Sequence, residues 1–190
     1  MKKTAVIDID NTLWQFCDAF YTELKKINSA FPLVEQWTTW DFFRPFCSEE
    51  QFLGAVDAVH VRQDSEEFRP YPEAPGFLGS LKEQGYRVII ASHRRTEMRE
   101  PTERWLKRHG LAFDELHLSF DKSVLFKDAA VVVDDAPQTL EKAVANRAIG
   151  AGLLFPWNRA FAGNGFGLFG DLNEVLAYIE GRGAERGKRK

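Results

Sequence analysis

The residues best suited to chemistry stand near the start of the chain, in Val6-Ile7-Asp8-Ile9-Asp10-Asn11-Thr12-Leu13. The apolar run reads as a buried strand that passes directly into two acids, a turn residue and a threonine. An ideal strand points residues two apart to the same side, although a loop beginning at Asp10 can re-aim the second acid. Two close carboxylates repel and raise each other's pKa unless a cation neutralises them. A divalent, oxygen-preferring ion such as Mg2+ is the natural partner. The plain alternative is a capped turn in which Asp10 or Asn11 bonds the local backbone.

Two later apolar runs also end in polar groups. Val88–Ala91 leads into Ser92-His93-Arg94-Arg95, and Ala130–Val133 leads into Asp134-Asp135. Lys122 lies between them in Asp121-Lys122-Ser123; its rival Lys127 stands only seven residues before Asp134, which leaves little chain for the intervening segment. In a parallel sheet these three strand ends share the carboxyl edge, where ligands of open α/β sheets bind.

The elements that must position these residues fall into two kinds. Leu13, Phe16, Phe20, Leu24 and Ile27 recur at helical steps and are followed by the aromatic cluster Trp37, Trp40, Phe42, Phe43 and Phe46. Ser48-Glu49-Glu50-Gln51 has capping-box spacing and opens a second helix carrying Phe52, Val56 and Val59. No strand is expected between Leu13 and about Arg69. Pro70–Gly76 is punctuation, after which helix and strand alternate. A helix through Phe77, Leu78 and Leu81 stops at Gly85, and the strand Arg87–Ala91 follows. A helix with Pro101 and Trp105 ends at Gly110, ahead of the strands Leu116–Leu118 and Ala130–Val133. A helix over Leu140–Asn146, a strand over Gly152–Phe155 and a helix over Asp171–Ile179 complete the series. This order predicts an α/β fold, a Rossmann-like three-layer α/β/α parallel sheet with a small inserted helical cap. Residues 1–13 and 70–180 are expected to form the core, 14–69 the cap, and the basic, Gly-rich 181–190 a disordered tail. Gly163–Gly167 reads as a surface loop, since it lacks the strand before and helix after that a phosphate loop needs.

At 190 residues the chain suffices for one domain with an inserted piece. Its net charge of -3 implies no general attraction to nucleic acid or anionic membrane. No apolar stretch is long enough to span a bilayer, and the early strand leaves no room for a leader peptide. Cys17 and Cys47 lack metal-type spacing and read as reduced thiols, which points to the cytoplasm. His60, His109 and His117 have no partner spacing and read as surface or core histidines.

The strand-end motifs together resemble those of the haloacid dehalogenase superfamily of phosphohydrolases. Asp8-Ile9-Asp10-Asn11-Thr12 matches its Asp-x-Asp-x-Thr, Ser92 its hydroxyl after a strand, Lys122 its lysine, and Asp134-Asp135 its acidic pair. The match spans residues 4 to about 160. A nearer likeness is to the 5'(3')-deoxyribonucleotidase family, through the position of the helical block, Arg104-Trp105, Asp121-Lys122-Ser123-Val124 and Leu154-Phe155 followed by Trp157-Asn158-Arg159. Phe16, eight residues after Asp8, matches that family's base-stacking aromatic. The chain departs from the family at Asn11, where glycine is frequent, at His93, where a second hydroxyl is usual, and at Thr102, in place of a basic phosphate contact. Arg94, Arg95 and Arg99 are candidates to replace the last.

The resemblance implies a Mg2+-dependent phosphatase working through an aspartyl-phosphate. Asp8 would be nucleophile and metal ligand, and Asp10 the general acid and base. Ser92, Lys122 and the accessory His93 would hold the phosphate. Mg2+ would bind Asp8, the Asp10 carbonyl and one of Asp134 and Asp135, with Asp135 favoured. Phe16, Trp40 and Arg94 are expected at the substrate pocket, and the other cap aromatics in the cap's own core. The expected substrate is a small phosphate ester, a (deoxy)nucleoside 5'-monophosphate, with no membrane and no stable nucleic-acid partner. Rivals are a phosphatase for a sugar phosphate or a phosphoprotein, and a catalytically silent binding module. Asn11-Thr12-Leu13-Trp14 also resembles Mg2+-dependent phosphatases without a large cap, but the helical block argues against them. The intact motifs argue against the silent module.

Overall fold

The structure, a computed structural model, describes residues 3–188. Its strands are β1 (Thr4–Ile7), β2 (Arg87–Ser92), β3 (Glu115–Leu118), β4 (Ala129–Val133), β5 (Ile149–Leu153) and β6 (Gly167–Phe169). They form one parallel sheet in the order β3-β2-β1-β4-β5-β6. The central strands are apolar at nearly every position because both faces of a parallel sheet are covered. Along β1 the side chains alternate: Ala5 and Ile7 join the larger core, Val6 a smaller one with Ala91, Val132 and Phe126.

Helices α3 (Ala74–Glu83) and α6 (Leu172–Lys188) cover the larger core through Leu78, Leu81, Val175 and Ile179. Helix α5 (Pro137–Ala145) and the 3-10 segment Ser123–Asp128 cover the other face through Ala143 and Phe126. Helix α4 (Arg99–Arg108) joins β2 to β3 and buries Trp105. The three-layer α/β/α arrangement is the one the alternating pattern predicts.

Between β1 and β2 lies a helical insertion built on α1 (Phe16–Ile27) and α2 (Glu49–Arg62). Among the described residues it contains no strand. Ser48 caps α2 as its spacing predicts: its hydroxyl accepts from the Gln51 N–H, and the Gln51 side chain accepts from the Ser48 N–H. The aromatics form the insertion's core, with Trp37 stacked on Phe42 at 4.2 Å and Phe43 on Phe52 at 4.1 Å. Both ends of the insertion meet at the sheet edge, where the Tyr71 N–H donates to the Leu13 carbonyl at 2.8 Å.

Several boundaries differ from expectation. Helix α1 starts at Phe16 rather than Leu13, because Asn11 (φ 54°) turns the chain first and the Leu13 N–H bonds back to Ile9. Helix α5 starts earlier, with Pro137 in its first turn. Strand β5 begins at Ile149 and ends at Leu153, so Leu154 and Phe155 lie beyond it. Its glycines permit close approach. A Cβ on Gly152 would stand 2.1 Å from the Asp134 carbonyl oxygen, and one on Gly150 would stand 2.9 Å from the Phe166 Cβ. The expected Gly163–Gly167 loop stops at Phe166, since Gly167 opens the edge strand β6. Residues 181–188 of the expected disordered tail continue α6, aided by an Arg182–Glu185 ion pair at 3.6 Å one turn apart; residues 189–190 lie outside the described residues.

Gly152→Val should therefore push the Asp134 backbone out of place. We expect a loss of about 2–4 kcal/mol in urea unfolding, the scale of overpacking in a tight core or slightly above it. A fully tolerated valine would show that β5 does not need this approach.

Candidate active site

Strands β1 and β4 end together at the paired Ile7 and Val133, and β2, in register with Ile7 at Ile90, runs two residues further to Ser92. Asp8 leaves β1 with its N–H bonded to the Val133 carbonyl at 2.9 Å, so the next residue of β4, Asp134, stands beside it. Lys122 comes from the loop before the 3-10 segment and is 97% buried, bonding Asp8 Oδ1 at 2.8 Å and Asp134 Oδ2 at 2.7 Å. The second Asp134 oxygen accepts from the Ala136 N–H. Asp135 Oδ2 accepts from Asn11 Nδ2 at 3.1 Å, and the Asp135 carbonyl accepts from Asn158 Nδ2. Asp8 Oδ2 and Asp135 Oδ1 have no protein donor among the described residues.

Carboxylate oxygens of Asp8, Asp134 and Asp135 lie within 4.8 Å of one another. Burial, only partly offset by Lys122 and reinforced by Asp134 and Asp10, pushes the Asp8 carboxyl up to about 7. Burial, then Asp134 and Asp8, push Asp135 well above the carboxylate range. Lys122 moves the other way: burial would lower its pKa, but Asp134 and Asp8 overcome it and raise it. Three acids thus share one ammonium, and a hard divalent cation fits the surplus of negative oxygen.

Asp10 is held differently. Its Oδ1 accepts from Trp14 Nε1 at 2.9 Å and Arg94 Nη2 at 2.6 Å, and its Oδ2 meets His60 Nε2 at 3.0 Å. Burial opposes ionisation, yet Arg94 and then His60 hold Asp10 well below the ordinary carboxylate range. Burial and the Arg94 charge lower His60; since the Asp10 carboxylate can only accept, the His60 nitrogen facing it, Nε2, is the donor.

Over these groups opens a cavity lined by Asp8, Asp10, Lys122, Asp134 and Asp135 on the sheet side and by aromatics of the insertion on the other. It offers about 190 Å³ to the centres of water-sized molecules. At roughly 10–15 Å³ per water, that is room for a small phosphorylated molecule. Phe16 and Trp40 both line it, Phe16 buried and stacked on Phe20, Trp40 52% exposed at the mouth. His93 also lines it; its ring is partly exposed, yet desolvation by the cavity wall and the Lys122 charge lower it to about 4.

Ser92 ends β2 fully buried, its hydroxyl without a partner among the described residues. Lys127 is exposed. Arg94 corrects the sequence reading: it does not line the cavity but lies buried on Asp10, Thr102 and Gln63. Its two Nη groups serve three protein acceptors, while its Nε is buried without a partner among the described residues. Arg95 pairs with Asp57 and Arg99 bonds the Leu116 carbonyl, so neither reaches the cavity. His60 corrects it too, being a partner of Asp10 rather than a bystander. A signal was present: Phe52, Val56 and His60 follow at four-residue steps, and all three line the cavity.

The fold is that of the haloacid dehalogenase-like hydrolases. Similar solved structures include a predicted phosphatase from Clostridium acetobutylicum, with 17% identity, 94% of this chain and 98% of that one covered, and a TM-score of 0.66. A haloacid dehalogenase-like family hydrolase from Xanthomonas campestris has 12% identity, 100% and 95% coverage and a TM-score of 0.64. CbbY from Rhodobacter sphaeroides, in complex with phosphate, has 13% identity, 92% and 96% coverage and a TM-score of 0.65. No protein-family model and no curated protein matches the chain. Among the described residues no helix is long and apolar enough to cross a membrane.

A cation at the acid cluster must compete with the proton on Asp8. Mg2+ affinity is therefore expected to rise with pH through about 7, by about tenfold per pH unit for each proton displaced. Calorimetry in buffers of different ionisation enthalpy reads the released proton directly; a flat profile from pH 5.5 to 8 would contradict the assignment.

Proposed function

We propose that the chain is a Mg2+-dependent phosphomonoester hydrolase that forms an aspartyl-phosphate on Asp8 and acts on (deoxy)nucleoside 5'-monophosphates. The observation that carries this reading is the state of Asp8. Lys122 holds one of its oxygens, while the other has no donor among the described residues and the residue lines the cavity. That free oxygen attacks phosphorus as the ester P–O bond breaks; Asp10, ionised beside Arg94 and His60, first takes the proton of the substrate monoanion and passes it to the leaving oxygen. Water then attacks the aspartyl-phosphate, Asp10 takes its proton, and inorganic phosphate leaves with Asp8 restored. The Ser92 hydroxyl and the Lys122 ammonium hold the phosphoryl oxygens, where charge spreads in a loose transition state. Neutral His93 borders the same space.

Mg2+ would be held by the Asp8 and Asp135 carboxylates and the Asp10 carbonyl, and it would offset the repulsion between the two anions. Asp134 is better suited to orienting Lys122, since both its oxygens already accept from the protein. A similar fold crystallised with phosphate supports the substrate class.

The insertion acts as a cap that excludes water and selects the leaving group. Its cavity wall is Phe16, Phe20, Trp37, Trp40, Phe42 and Phe52, with little besides Thr39 and His60 to hydrogen-bond a sugar. An aromatic base stacks on such a wall, contributing about 1–3 kcal/mol; a sugar phosphate gains less. We expect nucleoside monophosphates to exceed sugar phosphates by about tenfold or more in kcat/KM, and Phe16→Ala to lower that preference. Sugar phosphates winning, with Phe16→Ala neutral, would leave hydrolysis standing and end the nucleotidase reading.

A further inference from the structure

We infer that His60, reaching down from the insertion, is the residue that positions Asp10 for proton transfer, supported one turn further on by Gln63 through Arg94. The inference deepens the hydrolase reading and rests on it.

The two Asp10 oxygens are held by different parts of the protein. Trp14 and Arg94 fix Oδ1 from the loops that follow β1 and β2. Among the described residues Oδ2 meets His60 alone, and His60 belongs to α2. Asp10 and His60 both line the cavity, whereas Arg94 does not. With Oδ1 pinned, the carboxylate can still rotate, and His60 sets where Oδ2 points.

The same face of α2 is fastened to the rest of the chain at intervals of about one turn. Asp57 pairs with Arg95 at 3.0 Å, His60 meets Asp10, Gln63 accepts from Arg94, and Asp64, just past the helix, pairs with Arg104 at 2.7 Å and Arg108 at 3.0 Å. Arg94 is shared: one Nη serves Asp10, the other Gln63 and Thr102. Docking of α2 and the aim of Asp10 are consequently one event. The insertion therefore contributes to the proton-transfer step as well as to selection. The alternative is that His60 merely fills space, with its ring 5.4 Å from that of Phe16.

Leaving-group dependence separates the two. A nucleoside 5'-monophosphate must have its alkoxide protonated as it departs, while p-nitrophenyl phosphate releases a phenolate that needs no proton. kcat/KM reports the first irreversible step, so it senses Asp10 as an acid only with the former substrate. In His60→Ala we expect kcat/KM for the nucleotide to fall about 30–100-fold, the scale of a misplaced catalytic group. For the aryl ester the fall should be about threefold to fivefold. His60→Gln, which keeps an N–H donor at similar reach, should recover most of the difference. The ratio of the two substrates in one sample is independent of the fraction of folded enzyme. Equal losses on both substrates in His60→Ala, or no recovery of the ratio in His60→Gln, would overturn the positioning role while leaving the hydrolase reading intact. A wild-type protein that hydrolyses neither ester would overturn the hydrolase reading itself.

Discussion

Asp8→Asn is expected to abolish phosphate release, by about 10³-fold or more, while making the metal-free protein more stable at pH 8. The first half follows from the loss of the attacking oxygen anion: an amide cannot form or release an acyl phosphate as a carboxylate does. The second half follows from electrostatics. The Asp8 carboxyl is raised to about 7 in the fold against 3.8 unfolded, so the unfolded chain holds fewer protons between those values. Stability from this group is present at low pH and lost as pH rises through about 7. Asparagine removes that slope, and its carbonyl still accepts from Lys122. Thermal melts without metal at pH 5 and pH 8, beside phosphate release with Mg2+, check both halves. Full activity in the variant would remove Asp8 from the chemistry; an unfolded variant would show that its charge is needed for the fold.

Lys122→Met should do the reverse to stability. Lys122 is the one ammonium among Asp8, Asp134 and Asp135, bonded to two of them and 97% buried. Removing one partner from a buried ion cluster typically costs about 3–5 kcal/mol, because the remaining charges keep their desolvation penalty. For a chain of this length that is roughly 6–20 °C in melting temperature. The deficit should shrink at acid pH, where the carboxyls take up protons, and hydrolysis should fall by about 10²–10³-fold with the loss of a phosphoryl contact. A variant as stable as wild type at pH 8 would mean the acids are already neutralised without the lysine.

The gathering of Asp8, Asp134 and Lys122 was legible in the sequence because apolar strands end where a parallel sheet ends. Asp8, Ser92 and Asp134 each follow a buried run, and topology alone brings those runs to one edge. Lys122 was legible from the chain length needed before β4. What stayed hidden depends on the direction of side chains across long sequence separations. Arg94 stands among polar neighbours and suggested a phosphate contact, yet it turns inward to an acid 84 residues away. His60 is 50 residues from Asp10, and its place on the face of Phe52 and Val56 does not name Asp10 as its partner. Strand β5 begins three residues before the expected Gly152, and at Gly152 a neighbouring carbonyl leaves no space for a Cβ. Strand β6 is three residues long at an edge, too short for any period to register.

The hydrogen bond from Tyr71 to the Leu13 carbonyl has a consequence for how such a molecule diversifies. The whole insertion leaves and re-enters the sheet edge at one point, so the strands beneath see only its two closed ends. Closure entropy grows slowly with length, about 0.6 kcal/mol for each doubling of a flexible loop. An excursion twice as long, or differently folded, would therefore load the sheet only slightly. Its contents can be rewritten by descent while the residues at Asp8 and Asp134 stay where the sheet puts them. His60 limits that freedom: any replacement must return a donor to Asp10 from above, or the chain must find one elsewhere.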